Sequence, residues 1–393
     1  MMLRGRNASN ADNVAAGGNK TNGLLKRQSG GSALKPKEEP LSKRPRNTLS
    51  DVTRAVSKVR IDSSQKSSIV PPKPVIRPLQ QRIRPVNNKP FVLGTQKKEV
   101  VASPDPCPYD FDKQNAGDIN FVADYAFDIF NYYKHRESKF MVENYLRRQF
   151  QISKESLAVL VDWMTEVQES FELCHETLYL SIRLVHTHIA NTKELIHRDD
   201  LQIIAATAIF IASKYEERQV PLIDDMLYVS QDSYTRENLL EMERKMFKTV
   251  GFDIGMPLSY RFLRRLAKVS QVNMDTLTLA RFILETSLMF AEFVTVEESL
   301  MAAAAFLLAI RMKKLGDWTP VMKKYSGYKL EAIEPLMWSL NHMMRVRPTV
   351  YPKLKNIFSK YTHTIFFEVA KIPLLSGGKA LTEPVGPPAL LRK

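Results

Sequence analysis

The stretch TLYLSIRLVHTHI at residues 177–189 returns at 276–288 as TLTLARFILETSL, and AATAIFIASK at 205–214 returns at 302–311 as AAAAFLLAIR. The offsets are 99 and 97 residues, so the second half of the chain repeats the first in order and spacing. Periods of roughly 20–50 residues build solenoids, whose units are too small to bury a face alone. A single repeat of about a hundred residues is domain-sized. Two tandem copies of one unit, each built around an Ala-rich segment, explain this pattern best.

The periodicity inside each copy is helical. Leu157, Leu160, Val161, Met164, Val167 and Phe171 form one stripe, and Leu178, Ile182, Val185 and Ile189 another. Residues 201–213 are apolar all round, which predicts a helix buried on every side. Pro221 is expected to open a short helix. Thr235, with Glu237 in the first turn, is the expected N-cap of a helix that Gly251 ends. Upstream, Tyr125, Ile129, Phe130 and Tyr133 predict a helix over 118–133. No stretch sustains the alternation of a strand. The expected fold is all-α: two tandem five-helix domains preceded by an N-terminal helix and a disordered tail. The expected boundaries are 1–105 for the tail, 106–254 for the N-terminal helix and first unit, 255–375 for the second unit with a C-terminal helix, and 376–393 for a second disordered tail.

Charge separates the tail from the rest. Residues 1–100 hold 21 Lys+Arg against 6 Asp+Glu, while residues 101–393 hold 36 of each. The whole excess of +15 therefore lies in the first hundred residues. Such a segment, rich in Ser, Asn, Pro, Gly, Lys and Arg, cannot bury enough apolar surface to offset its ordering entropy. Its dispersed charge suits weak, salt-sensitive contact with nucleic acid. Cys107 and Cys174 are the only cysteines, too few for a disulfide framework or a zinc site, which fits a reducing compartment. The N-terminus lacks the apolar core of a signal peptide. The longest apolar run, IIAATAIFIA at 203–212, is ten residues, against the ~20 that a membrane crossing needs.

No catalytic constellation stands out. There is no Gly-rich phosphate loop, no HExxH and no GxSxG. His186 and His188 are two apart and diverge on a helix, so they cannot share a metal. Asp199–Asp200 and Asp224–Asp225 fall at helix starts, where acids favour the dipole. The residues imply binding or regulation, with no cofactor, metal or small-molecule ligand.

Several segments, in order, resemble the cyclin family. ESLAVLVDWMTEVQESFELCHETLYL (155–180), LQIIAATAIFIASKYEE (201–217) and YTRENLLEMERKMFKTVGFDI (234–254) are similar to the first cyclin box. PLSYRFLRRLAK (257–268), TLTLARFILE (276–285), DWTPVMKKYSGYK (317–329) and KYTHTIFFEVAKIPLL (360–375) are similar to the second box of B-type mitotic cyclins, above all the B-three subfamily. The resemblance covers about 118–375 and implies two tandem cyclin boxes. It implies a regulatory subunit that binds and activates a cyclin-dependent kinase in mitosis and meiosis, without catalysis of its own. By residue chemistry alone Lys214 closes a helix and Glu243 sits on a solvated face. The resemblance implies instead that both bind the kinase helix carrying its catalytic glutamate, with Glu216, Glu217, Tyr125 and Ile129 on or beside that surface. It also implies a docking groove for Arg-x-Leu protein substrates at Val159, Leu160, Trp163, Glu166, Leu201 and Gln202. One departure stands out: Ser156 and Leu157 replace the family's Met and Arg, and His186 replaces the aspartate partner of that arginine. Loss of both members of an ion pair is tolerable where loss of one is not.

In the tail, RNTLSDVTR (46–54) resembles a destruction box, with Arg54 at the final position. Arg46 and Leu49 would be read by a ubiquitin ligase of the anaphase-promoting type. Lys43, Arg44 and Arg46 make a candidate nuclear import signal, which places the chain in the nucleus, against the plainer reading of a solvated charge run. Ser103–Pro104 fits a proline-directed phosphosite. The rival reading is a nucleic-acid-binding transcription factor of duplicated cyclin-like fold. That family carries a zinc ribbon, which two isolated cysteines cannot make, and basic repeats, whereas 101–393 is neutral.

Overall fold

A computed structural model describes residues 107, 109–378 and 382–391, and among them every regular element is helical. After a short α1 (Phe111–Gln114) and α2 (Ala123–Glu137) come α3 (Lys154–Ser170), α4 (His175–Asn191), α5 (Leu201–Glu216), α6 (Ile223–Val229) and α7 (Arg236–Val250). The second copy runs through α8 (Ser259–Val269), α9 (Met274–Leu288), α10 (Glu298–Met312), α11 (Pro320–Ser326) and α12 (Leu330–Val350), with α13 (Asn356–Lys360) behind it. The expected five helices per copy are present. Among the described residues no helix is long and apolar enough to cross a membrane.

Local chemistry sets the helix ends. Ser153 and Ser156 form a reciprocal capping box at α3, each hydroxyl 3.1 Å from the other's backbone N–H. Thr235 caps α7, and Gly251 ends it in the left-handed region at φ +82°. Two expected boundaries move. The helix expected from Asp118 is interrupted, because the Asp118 carboxylate accepts from Asn120 N–H at 2.9 Å and competes with the helical ladder. A 3-10 turn follows at Ile119–Phe121, Val122 sits at φ +47°, and α2 begins only at Ala123. Pro221 lies outside α6, whose start is held by the Asp225 carboxylate accepting from Leu222 N–H at 2.8 Å.

Each copy wraps its Ala-rich helix. Residues 204–213 of α5 and 299–310 of α10 are all buried. Small side chains let α4 and α7 pack closely on α5, and α8, α9 and α12 on α10. Between the copies, Tyr179 stacks on Tyr260 at 5.7 Å, and Arg183 pairs with Glu298 at 3.2 Å. A buried polar cluster adds to this joint. Lys360 Nζ donates to Glu285 Oε2 (3.0 Å) and Gln168 Oε1 (2.8 Å), and Glu285 Oε1 lies 3.4 Å from His175 Nδ1.

The N-terminal helices, grouped in the sequence with the first copy, are tied to the second. Phe130 of α2 packs edge-on against Phe262 of α8. Both Arg265 guanidinium nitrogens grip the Asp112 carboxylate at 2.6 and 2.5 Å, in a buried pair. Glu137, at the end of α2, accepts from Ser299 N–H (2.6 Å) and Oγ–H (2.7 Å) at the start of α10.

Burial pushes the Glu137 carboxyl up to about 7, and the Ser299 hydrogen bonds only partly oppose it. Its folded value lies above its unfolded one, so the stability it contributes is present below about 4.5 and is lost as pH rises through about 7. The chain is expected to lose thermal stability between pH 5.5 and 8 by more than a Glu137→Gln variant does. Equal pH slopes in melting experiments would refute this.

The C-terminal segment departs from expectation. Residues 376–393 are expected to be disordered, yet 382–391 lie against the second copy. Glu383 C=O is 3.0 Å from His342 Nε2 on α12, and Gly386 and Pro387 are buried. An extended Pro/Gly segment can dock through Val385 and Leu391 on an existing core without building one.

Candidate functional site

The glutamates of IASKYEE stand at the C-terminus of α5, where the helix dipole disfavours them. Each has a distant partner. Glu216 takes both carboxylate oxygens to Arg261 Nη2 on α8, at 2.7 and 2.8 Å. Glu217 accepts from Cys174 N–H (2.7 Å) and Thr177 Oγ1–H (2.5 Å), closing the start of α4. Both carboxylates thus hold the scaffold together beside the exposed surface.

Lys214 differs. Its Nζ rests over the Phe210 ring at 3.9 Å and lies 2.6 Å from Glu243 Oε1 of α7. The lysine side chain is 43% exposed. The two residues singled out by the family resemblance therefore meet as one charged pair at the edge of α5 and α7.

From this pair the surface continues to α2. Next to Lys214, Tyr215 is exposed, and Gly255 accepts a hydrogen bond from Arg136 Nε of α2 at 3.0 Å. Arg261, held by Glu216, lines a recess of about 300 Å³ with Ile129. Tyr125 stands one turn before Ile129 and is 65% exposed. Sequence reasoning overlooked Arg261 and Arg136, since neither has a local signal and each is defined by a partner more than 40 residues away.

Five of the six docking positions line one groove. Val159, Leu160 and Trp163 of α3 and Leu201 and Gln202 of α5 line a space of about 260 Å³, together with Ser156 and Arg198. Glu166 is exposed outside the lining and accepts from Asn356 Nδ2 at 3.2 Å. Leu160 and Leu201 are buried, so they serve the core as well.

The family departures are accommodated. Ser156 completes the cap of α3, and Leu157 is 2% exposed in the core. His186 is buried with Nδ1 2.6 Å from the Tyr145 hydroxyl. Burial, with Arg183 nearby, pulls its pKa down to about 3, so it is neutral. A neutral His–Tyr hydrogen bond and a leucine stand where the family pattern has an ion pair.

Among the described residues no group of three or more His, Cys, Asp or Glu is placed to hold a metal ion. Lys43, Arg44, Arg46, Leu49 and Ser103 lie outside the described residues.

Residues 128–255 match the family described as Cyclin, N-terminal domain, and residues 257–375 that described as Cyclin, C-terminal domain. A G2/mitotic-specific cyclin-B3 of Caenorhabditis elegans is 42% identical over 380 residues, covering 95% of this chain and 94% of that one. One of Gallus gallus is 42% identical over 320 residues, covering 78% and 77%. One of Drosophila melanogaster is 44% identical over 291 residues, covering 72% and 50%. With both domains present in order and the Lys214–Glu243 pair inside the first, the chain belongs to the cyclins, among the mitotic B-type cyclins and most similar to the cyclin-B3 group.

Proposed function

We propose that this cyclin binds a cyclin-dependent kinase through the face centred on Lys214 and Glu243 and holds that kinase in its active form. Cyclins are regulatory subunits of kinases and are not enzymes themselves. The observation that carries the reading is the exposed Lys214–Glu243 pair, continuous with the exposed apolar side chains of α2. Protein kinases need a Lys–Glu pair between their third strand and C-helix. A partner that favours the in-position shifts the population towards it. Going from 1:99 to 99:1 takes ~5.5 kcal/mol of differential affinity. The test is reconstitution of the full chain with a monomeric cyclin-dependent kinase phosphorylated on its activation loop, following phosphate transfer to a Ser-Pro peptide. Strong activation is expected. No activation with any such kinase would overturn the reading.

Two finer readings go with it. The groove between α3 and α5 suits an extended substrate segment with an apolar anchor, supported by its five converging side chains. The tail supports nuclear residence, and scheduled destruction by a ligase of the anaphase-promoting type in mitosis and meiosis. One set of variants separates these two roles. Arg46→Ala with Leu49→Ala is expected to abolish mitotic turnover, while Lys43→Ala with Arg44→Ala spares the box and shifts the chain out of the nucleus. Unchanged half-life in the first, or unchanged distribution in the second, would remove the corresponding reading.

A further inference from the structure

The outer side of α2 is a single stripe. Tyr125, Ile129, Tyr132 and Arg136 recur at spacings of four, three and four, which sets them on one face of the helix. The first three are exposed. The opposite face is committed to the second copy, where Phe130, Lys134 and Glu137 meet Phe262, Ser326 and Ser299. Arg136 closes the stripe and turns out of solvent, with its side chain 21% exposed.

All three nitrogens of its guanidinium are engaged. Nε–H donates to Gly255 C=O at 3.0 Å, Nη2 donates to the Asp253 carboxylate, and Nη1 reaches back to the Tyr132 hydroxyl at 3.3 Å. Asp253 and Gly255 lie just past the end of α7, the helix that carries Glu243, in the segment leading to α8. Lys139 Nζ also meets the Asp253 carboxylate, at 2.5 Å, but that lysine is 59% exposed, and solvated pairs hold little. A Cβ at Gly255 would stand 3.2 Å from Arg136 Nη2 and 3.6 Å from the Tyr215 hydroxyl oxygen. Glycine leaves the room that the guanidinium occupies, at the point where α2, α5 and the end of α7 converge. The inner face of α2 thus belongs to the second copy, while Arg136 ties its outer stripe to the first.

On the kinase-binding reading above, on which this rests, we propose that Arg136 is a positioning residue for the kinase face. Through Asp253 and Gly255 it fixes the Tyr125–Ile129–Tyr132 stripe relative to the Lys214–Glu243 pair, so that one kinase surface meets both at once. Two contact elements already in register lose less freedom on binding than two that must be brought together. Arg136 acts through the stripe and through the pair, without itself forming the contact.

The test titrates the full chain and its variants into the monomeric, activation-loop-phosphorylated kinase of the reconstitution. Arg136→Ala is expected to raise the concentration for half-maximal activation about tenfold, through faster dissociation, while activity at saturating cyclin stays at the parent level. Arg136→Lys can keep the Asp253 ion pair but loses the Nε–H bond to Gly255, and is expected to fall between the two. In a Tyr125→Ala, Ile129→Ala background, adding Arg136→Ala is expected to cost no more than about twofold further, because the stripe it acts through is gone. Arg311→Ala removes ion pairs to Asp317 and Glu334 within the second copy and controls for lost stability alone; its half-maximal concentration is expected to match the parent's.

Equal half-maximal concentrations in parent and Arg136→Ala overturn the positioning role while the kinase reading stands. So does a tenfold loss repeated undiminished in the Tyr125→Ala, Ile129→Ala background, or one reproduced by Arg311→Ala. A parent chain that activates no kinase overturns the reading of the face instead. Amide exchange of residues 123–137 in the free chain tells the two failures apart: exchange several-fold faster in Arg136→Ala but not in Arg311→Ala upholds the hold on α2, and unchanged exchange refutes it.

Discussion

Lys214→Ala combined with Glu243→Ala is expected to weaken kinase binding and activation about 100-fold or more while leaving the melting temperature within ~3 °C of the parent. The two expectations have different physical origins. Within the free chain the pair is an ion pair with a 43% exposed lysine, and such pairs contribute ~1 kcal/mol or less to stability. In a desolvated interface, truncating charged hydrogen-bonding partners costs roughly 2–5 kcal/mol, and each 1.4 kcal/mol is tenfold. The pair also holds itself in place before any partner arrives, at 2.6 Å, so less freedom is lost on binding. Activation that survives the double substitution would keep the cyclin assignment and move the anchor elsewhere on the face. A collapse in melting temperature would mean that the pair is structural.

The second large effect is one of stability. Glu285→Gln is expected to cost ~3–5 kcal/mol, a fall of about 10 °C in melting temperature. Lys360 and Glu285 have side chains 1% and 0% exposed. Burial opposes ionisation of Glu285, yet Lys360, His175 and Arg281 hold its carboxyl well below the usual range. Neutralising it leaves the Lys360 ammonium in the core with neutral amide oxygens, at Gln168 and at position 285, as its side-chain acceptors and no counter-charge within hydrogen-bond distance. Replacing both partners, as in Glu285→Leu with Lys360→Met, should recover most of the loss, because the unpaired buried charge is then gone. A double variant as unstable as the single one would show that the cluster acts through shape rather than charge. The location raises the stakes: His175 and Gln168 come from the first copy, Glu285 from the second and Lys360 from α13, so the cluster joins three parts of the chain.

Much of the architecture was legible because its causes are local. Thr235 and Gly251 bound α7 through contacts made within a few residues. The Ala-rich segments at 205–214 and 302–311 read as central helices because they are apolar on every face. Where a local side chain competed with the helix, the reading slipped, as at Asp118 and Asn120. It slipped again at the C-terminus, where composition argued for disorder and Val385 found a surface supplied by the second copy.

The site was legible in part. Family motifs brought Lys214 and Glu243 to notice, and the fold put them 2.6 Å apart. Motifs had no means of assigning Glu216 to Arg261 across 45 residues, or Glu217 to the start of α4 across 43. The same holds for His186, whose partner Tyr145 lies 41 residues upstream in a loop with no motif.

Periodicity, capping and composition, each acting within one stretch of chain, were enough to read the duplication, the charge division between tail and domains, and the helices with all but a few of their ends. Only the tertiary structure decided which acid answers which base, which copy holds the N-terminal helices, and which glutamate is spent on the scaffold. Hydrogen bonds and ion pairs act over a few ångströms of space, and residues that distant in sequence come within that range only when the two Ala-rich cores have packed.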